Sequence, residues 1–419
     1  MYASIDEANA AVIAEIRKAR PHLVDVRPAR DCIPALAEGR VLMHAGPPIA
    51  WSEMTGPMKG AVLGACLYEG WAKTNAEAEA LAAKEIRFVP CHDQGAVGPM
   101  GGITSGGMPV LVVRNLEQGN VAYCNLNEGI GKVMRFGAFE GEVQTRLAWM
   151  RDVLAPVLSA ALRRKPDGVD LIALMGQAIT MGDEFHQRNI AASALLMKAL
   201  AAEIAAGEAK PADKVEVLRF LERTDQFFLN VAMACCKCIM DAGHAVGAGS
   251  IVTAMTRNGR DFGIRVSGLG SRWFSAPVNT PVGLFFTGFT QTDANPDIGD
   301  SAITETYGIG GAAMIAAPGV TRFVGSGGFS DALEISDKMR EIYVDTNPVL
   351  QIPTWDFQGA CLGLDVRRVV ETGITPVINT GIAHRLPGIG QVGAGTVHPP
   401  LACFEQALEA LAAARAQAV

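Results

Sequence analysis

The stretch Asp293–Gly311, DANPDIGDSAITETYGIGG, decides how the rest of the chain is read. It carries four carboxylates, Asp293, Asp297, Asp300 and Glu305, among glycines, one proline and small hydroxyl residues. Apolar runs hem it in, PVGLFFTGF before it and AAMIAAPGV after it, so the segment is expected to lie at least partly inside the molecule. A carboxylate taken out of water is costly unless it meets a partner or a ligand. A second polar island just upstream, Arg257–Gly268 (RNGRDFGIRVSG), offers three arginines. The two islands are expected to face one anion-receiving cavity, with Arg257 and Arg265 turned towards Asp300.

The chain has 419 residues, more than one hydrophobic core usually serves, so two or three domains are expected. A 49% hydrophobic and 19% charged composition describes a compact chain rather than a disordered one. Net charge is −7 with scattered basic residues, which argues against nucleic acid as a partner. The opening MYASIDEANAAVIAEIRKAR reads as an amphipathic helix and not as a signal, and the apolar runs are too short or broken for a membrane span. Nine cysteines without paired spacing fit reduced thiols in the cytoplasm.

Three regions follow. Residues 1–140 read as a mixed α/β lobe, with strands at VLMHA, IRFVP, PVLVVRN and NVAYCNL and one long helical stretch up to about Ala83. Residues 141–243 read as nearly all helix, with Pro211 starting one. Residues 244–419 return to α/β text, with strands at SIVTAMT, FGIRVSG, VGLFFTGF, RFVG and ITPVINTG and a closing helix. The expected fold class is α+β or α/β: two mixed lobes with an inserted all-helical domain.

Several polar constellations suit chemistry, and each has a plainer explanation. His44, in HAGPPI, sits where a glycine-proline turn can present N–H groups to an anion; a rigid surface loop explains it as well. The six-glycine loop Pro90–Pro109 holds Cys91, His92 and Asp93 side by side, too close in sequence to grip one metal, and suits a pocket lining. In NLNEGIGKVMRFGA, Glu128 and Lys132 have the spacing of a helical ion pair, whereas Arg135 is placed to reach an anion. In MGDEFHQRN, Asp183 can cap a helix carrying Glu184, His186, Arg188 and Asn189, and Asp183 with His186 also has spacing for a metal or proton transfer. Cys235, Cys236 and Cys238 splay around a helix and read as buried thiols, not a zinc cluster. NTGIAHRLPGIGQVGAG brings Asn379, Thr380 and His384 in another glycine-rich loop.

Taken together, HAGPPIAWSEMTGPMKGA, NEGIGKVMRFGA, MGDEFHQRN, TRNGRDFGIRVSG, ANPDIGDSAITETYGIGG and NTGIAHRLPGIGQVGAG resemble the YlbE/AllG-like family over about residues 20 to 410. The resemblance implies a subunit of oxamate carbamoyltransferase, an enzyme of allantoin (purine) nitrogen catabolism. Oxalurate and phosphate would give oxamate and carbamoyl phosphate, with AllF/FdrA-like and AllH-like subunits as protein partners and a homo-oligomer expected.

That chemistry gathers two anions around one carbonyl, so it needs arginines or N–H groups for the anions and an acid for the departing nitrogen. Arg135, Arg257 and Arg265 are the candidate anion ligands, with Glu128, Asn258 and Asn379 beside them. His44, His92 or His384 is the candidate proton donor, with Asp300 and Glu305 as supporting carboxylates. No cofactor is assigned and no metal ligand is named; Asp297 and Asp300 are the pair available to Mg²⁺ if one is used. Two other readings stay open: a non-catalytic scaffold or regulatory subunit, and a stand-alone ureido-acid amidohydrolase or lyase.

Overall fold

The longest near-uniform apolar text, Phe227–His244, forms an 18-residue helix of which 16 residues are buried. A helix apolar on every side has to sit inside a core, and this one touches the amino-terminal helix, strands of two sheets and the short helix Ile303–Tyr307. The computed structural model describes residues 2–325 and 327–418, and its fold mixes helices with several sheets in an α+β arrangement.

A five-stranded sheet runs in the order Ala96–Val97, Val121–Asn125, Pro109–Asn115, Pro21–Pro28, Val169–Asp170. All its pairings are antiparallel except the first. A four-stranded antiparallel sheet follows the order Phe274–Pro277, Asp261–Val266, Val252–Asn258, Ile298–Gly299. A three-stranded sheet has Val282–Phe285 at one edge, Gln391–Val397 in the middle and Ile378–Ala383 beyond it. Two further pairs complete the strands, Val41–His44 parallel to Arg87–Pro90 and the hairpin Tyr343–Ile352 with Gln358–Leu364.

Between residues 142 and 244 the chain is almost wholly helical. Its first helix passes through a wider turn at Met150–Leu154 before continuing as Ala155–Arg163. Pro156 explains the widening, because a proline inside a helix removes an N–H and its ring crowds the preceding turn. The largest apolar cluster takes in Val12, Leu154, Phe228, Ile264, Leu364 and Leu411, so it draws on all three sequence regions. No helix among the described residues is long and apolar enough to cross a membrane.

The structure changes several local readings. RFVG is not a strand: Pro318, favoured in a first helical turn, starts the helix Pro318–Phe323. The long helix up to Ala83 is two, Gly56–Tyr68 and Asn75–Lys84, divided where Thr74 caps the second. MGDEFHQRN is loop, because Phe185 takes a left-handed φ of 71° that a helix does not allow. Asp183 still caps, but it caps the following helix Ile190–Ala206, accepting from the Ala192 N–H at 2.7 Å. Glu128 and Lys132 do not pair along a helix; Glu128 instead accepts from the backbone N–H groups of Met134 and Arg135 at 3.0 and 3.1 Å.

Candidate functional site

Segments far apart in the chain meet at one pocket. The glycine-rich loop supplies Pro99 and Met100, and the segment after Asn125 supplies Ile130, Arg135 and Phe136. His186 and Gln187 come from MGDEFHQRN, Gln226 from the start of the core helix, Ser301 from the acidic island, and Gly381 and Gln391 from the three-stranded sheet. Two residues with unusual backbones stand here: Met100 at φ 54° in the lining and Phe185 at φ 71° next to His186. Such conformations cost about 1–3 kcal/mol for residues other than glycine and gather where function over-determines the backbone.

Arg135 is the cation of this lining. Its turn, Met134–Phe136, is held by the Glu128 carboxylate beneath it. One guanidinium N–H₂ donates to the Gly129 carbonyl and the group lies over the Phe136 ring, 5.1 Å from its centroid. The Nε is buried and has no partner. Burial brings the guanidinium down to about 10, with the Glu128 charge opposing that shift, so it stays charged at neutral pH. The same burial raises Glu128 above the usual carboxylate range, against the pull of its two backbone donors. A buried charged donor without an acceptor is the kind of group that a bound anion satisfies.

His186 is the titratable partner. Its Nδ1 lies 2.7 Å from Glu305 Oε1 and 3.2 Å from Thr304 Oγ1. Glu305 in turn accepts from the Gly311 N–H at 2.8 Å, the Asn379 N–H at 3.3 Å and the Thr304 hydroxyl at 3.0 Å. A carboxylate that collects donors accepts from Nδ1–H and favours that tautomer, which leaves Nε2 for the pocket that the ring lines. Glu184 shapes the loop around the ring by accepting from the backbone N–H groups of His186 and Arg188 at 3.1 and 2.6 Å and from Asn379 Nδ2 at 3.0 Å. Burial raises the Glu184 carboxyl.

Among the residues expected from sequence, Arg135, Glu305, Glu128 and Asn379 line or brace this pocket. The others lie elsewhere. Arg257 is fully buried and pairs with Asp297 at 2.6 Å; it also donates to the Gly299 carbonyl, Ser301 Oγ and Thr380 Oγ1. It therefore holds Ser301 in the lining while its own guanidinium is engaged. Arg265, on the neighbouring strand, lies over Trp273 with 4.0 Å to the ring centroid and pairs with Asp93. Asn258 organises a turn, donating to the Pro47 carbonyl and accepting from the Arg260 and Asp261 N–H groups.

Asp300 backs onto the pocket rather than lining it. It accepts from the N–H groups of Gly46 and Gly98 at 3.1 and 2.9 Å and from the Thr256 hydroxyl. Burial lifts its carboxyl to about 6, with those donors pulling the other way. His92 Nε2 is 3.7 Å from it, and neither ring nitrogen of His92 has a hydrogen-bond partner. Burial lowers His44 to about 4 and drives His92 well below the usual imidazole range. His384 is bound into its own loop, with Nδ1 accepting from the Leu386 N–H at 3.0 Å. The Asp297 carboxylate is taken by Arg257, Thr380 and the Ile298 N–H. Among the described residues no group of three or more His, Cys, Asp or Glu is arranged to hold a metal ion.

Known proteins match this chain over nearly all its length. The family described as "Oxamate carbamoyltransferase subunit AllG" matches residues 86–301. The Escherichia coli K12 protein of that name is 70% identical over 413 residues, covering 98% of this chain and 99% of its own length. The chain belongs to the AllG family. A second E. coli K12 relative, the uncharacterized protein YahG, is 44% identical over 96% of the chain and 85% of its own length. A crystal structure of a conserved protein of unknown function from Enterococcus faecalis V583 superposes with a TM-score of 0.95 at 46% identity, covering 98% of this chain and 99% of that one. The family-matched residues 86–301 include Arg135, His186, Gln187, Gln226 and Ser301 of the pocket.

The sequence offered His186 for a metal or proton transfer with Asp183 but not among the candidate proton donors, and Gln187, Gln226, Ser301 and Gln391 were missed. The signal for His186 was present in MGDEFHQRN, but its partner Glu305 lies 119 residues away, a pairing that local spacing does not display.

Proposed function

We propose that this chain is a subunit of oxamate carbamoyltransferase that carries the carbamoyl-transfer site in the Arg135–His186 pocket. The observation that carries the reading is that Arg135, whose buried Nε has no partner, and His186, held from behind by Glu305, belong to one lining. A phosphate oxygen attacks the terminal carbamoyl carbon of oxalurate, and the bond from that carbon to the bridging nitrogen breaks. The bridging nitrogen takes up the proton that phosphate gives up, so the products are oxamate and carbamoyl phosphate. Arg135 binds one of the two anions. His186 Nε2 moves the proton from phosphate to the leaving nitrogen. Glu305 is a positioning residue that fixes the ring through Nδ1. The Gln187 and Gln391 carboxamides offer neutral donors and acceptors for the amide groups of the substrate.

The working enzyme is proposed to contain AllF/FdrA-like and AllH-like subunits, to act in the cytoplasm and to serve allantoin nitrogen catabolism. Nine free cysteines agree with a reducing compartment.

The test uses the chain assembled with those subunits and follows carbamoyl phosphate formed from oxalurate and phosphate. His186→Asn is expected to lower kcat by about 10²- to 10⁴-fold, the usual worth of a positioned acid–base group, and to flatten one limb of the pH–rate profile. Oxamate formed at the same rate without phosphate overturns carbamoyl transfer in favour of hydrolysis, and an unaffected His186→Asn variant removes this pocket as the site.

A further inference from the structure

The pocket opens beside an apolar edge. Val282 and Leu284 stand two residues apart on the strand Val282–Phe285, so they share one face, and Phe286 follows them into the pocket lining. Ile130 and Phe323 line the same pocket from other segments. All five are exposed, from 37% at Phe286 to 68% at Val282. The strand is the outer one of its sheet, paired among the described residues with Gln391–Val397 alone. Free edges are normally blunted by charge, especially lysine, yet residues 273–292 contain no charged side chain. The strand is short and follows Pro281, which limits strand-to-strand pairing, but a cluster of exposed apolar side chains beside a pocket is the kind of surface that another chain covers.

Charge says what kind of chain. On the reading proposed above, the site takes oxalurate with its carboxylate and phosphate with roughly one to two negative charges. Arg135 is the one Lys or Arg among the described residues lining the pocket. One guanidinium against two anions leaves the site short of positive charge as their carbonyl becomes an oxyanion. A second copy of this chain, docked through the same edge, would oppose one uncharged strand to another.

We infer that the Val282–Phe286 edge is the docking surface for a different subunit of the same enzyme, which lays an apolar face on Val282, Leu284 and Phe323 and extends an arginine or lysine to the pocket mouth. The inference rests on the carbamoyl-transfer reading for the identity of the anions. The edge itself stands independently of that reading.

The experiment co-expresses the full chain with its AllF/FdrA-like and AllH-like companions and measures both the companions that co-elute and phosphate-dependent transfer. Val282→Asp and Leu284→Asp each place a charge where the docked face would exclude water. Each is expected to reduce co-elution and transfer about tenfold or more, the effect of disturbing a central interface residue, while the isolated chain melts at its original temperature. Val215→Asp, on the exposed face of the helix Pro211–Arg223, is expected to change neither. Companions that co-elute undiminished with both edge variants overturn the inference, and so does a loss confined to self-association of this chain. Should Leu284→Asp lower the melting temperature of the isolated chain, Val282→Asp, the more exposed position, decides alone. An unmodified complex that forms but shows no phosphate-dependent transfer defeats the proposed reaction and leaves the docking result standing.

Discussion

Asp300 shows how one buried carboxyl can organise a site without entering it. Through the Gly46 and Gly98 N–H groups and the Thr256 hydroxyl it ties three segments behind the pocket. Its carboxyl is raised from 3.8 to about 6 by burial, so the folded state holds the proton that the unfolded chain releases. The stabilisation is complete below pH 3.8 and is lost as pH rises through about 6. At about 1.4 kcal/mol per pH unit the loss amounts to about 3 kcal/mol. His44, held at about 4 by burial, works in the opposite sense over an overlapping range, so overall stability does not isolate either group. The difference between the unmodified protein and Asp300→Asn does. Urea unfolding at a series of pH values is expected to show their gap shrinking from pH 4 to pH 7.

At the scale of elements, the loop Gly308–Gly311 sets the distance between Glu305 and His186. Gly310 has a φ of 65°, and a Cβ added there would lie 2.2 Å from Glu305 Oε1 and 3.2 Å from His186 Cβ. Alanine at this position strains the backbone and pushes the carboxylate off the imidazole. Gly310→Ala is expected to lower kcat about 100-fold or more, in line with the cost of misplacing a reacting group by about 1 Å, with KM changed far less. Steady-state kinetics of the assembled enzyme separates the two. Elements were legible where composition and pattern agreed: the helices between 142 and 244, the strands at Val41, Pro109 and Val252, and the closing helix. The strand Pro21–Pro28 was not singled out, because a proline at each end and charges at Asp25 and Arg27 hide its alternation. The hairpin Tyr343–Leu364 was missed for a related reason, because Pro348 and the exposed Thr346, Val349 and Gln351 break the apolar pattern of its first strand.

Across the whole molecule, Arg257 and Asp297 join the four-stranded sheet to the three-stranded one. Asp297 accepts from Arg257 on one oxygen and from Thr380, in the strand Ile378–Ala383, on the other. Both ionic side chains are fully buried. Asp297→Ala leaves a buried guanidinium without its counter-charge and is expected to destabilise the fold by about 3–5 kcal/mol. The double change Arg257→Met with Asp297→Leu removes both charges together and is expected to recover most of that loss, as read from the urea midpoint.

The family, the mixed helix-and-sheet character and the burial of the acidic island were all readable from the chain, because each depends on local composition or on ordered motifs. Which carboxylate met which base was decided only by the tertiary structure. Glu305 reaches His186 and Asp297 takes Arg257, while Arg265 turns to Asp93. Those pairings arise from sheet order and loop crossing over dozens of residues. A buried charge binds whichever opposite group packing brings within hydrogen-bond reach, and spacing along the chain does not encode that distance.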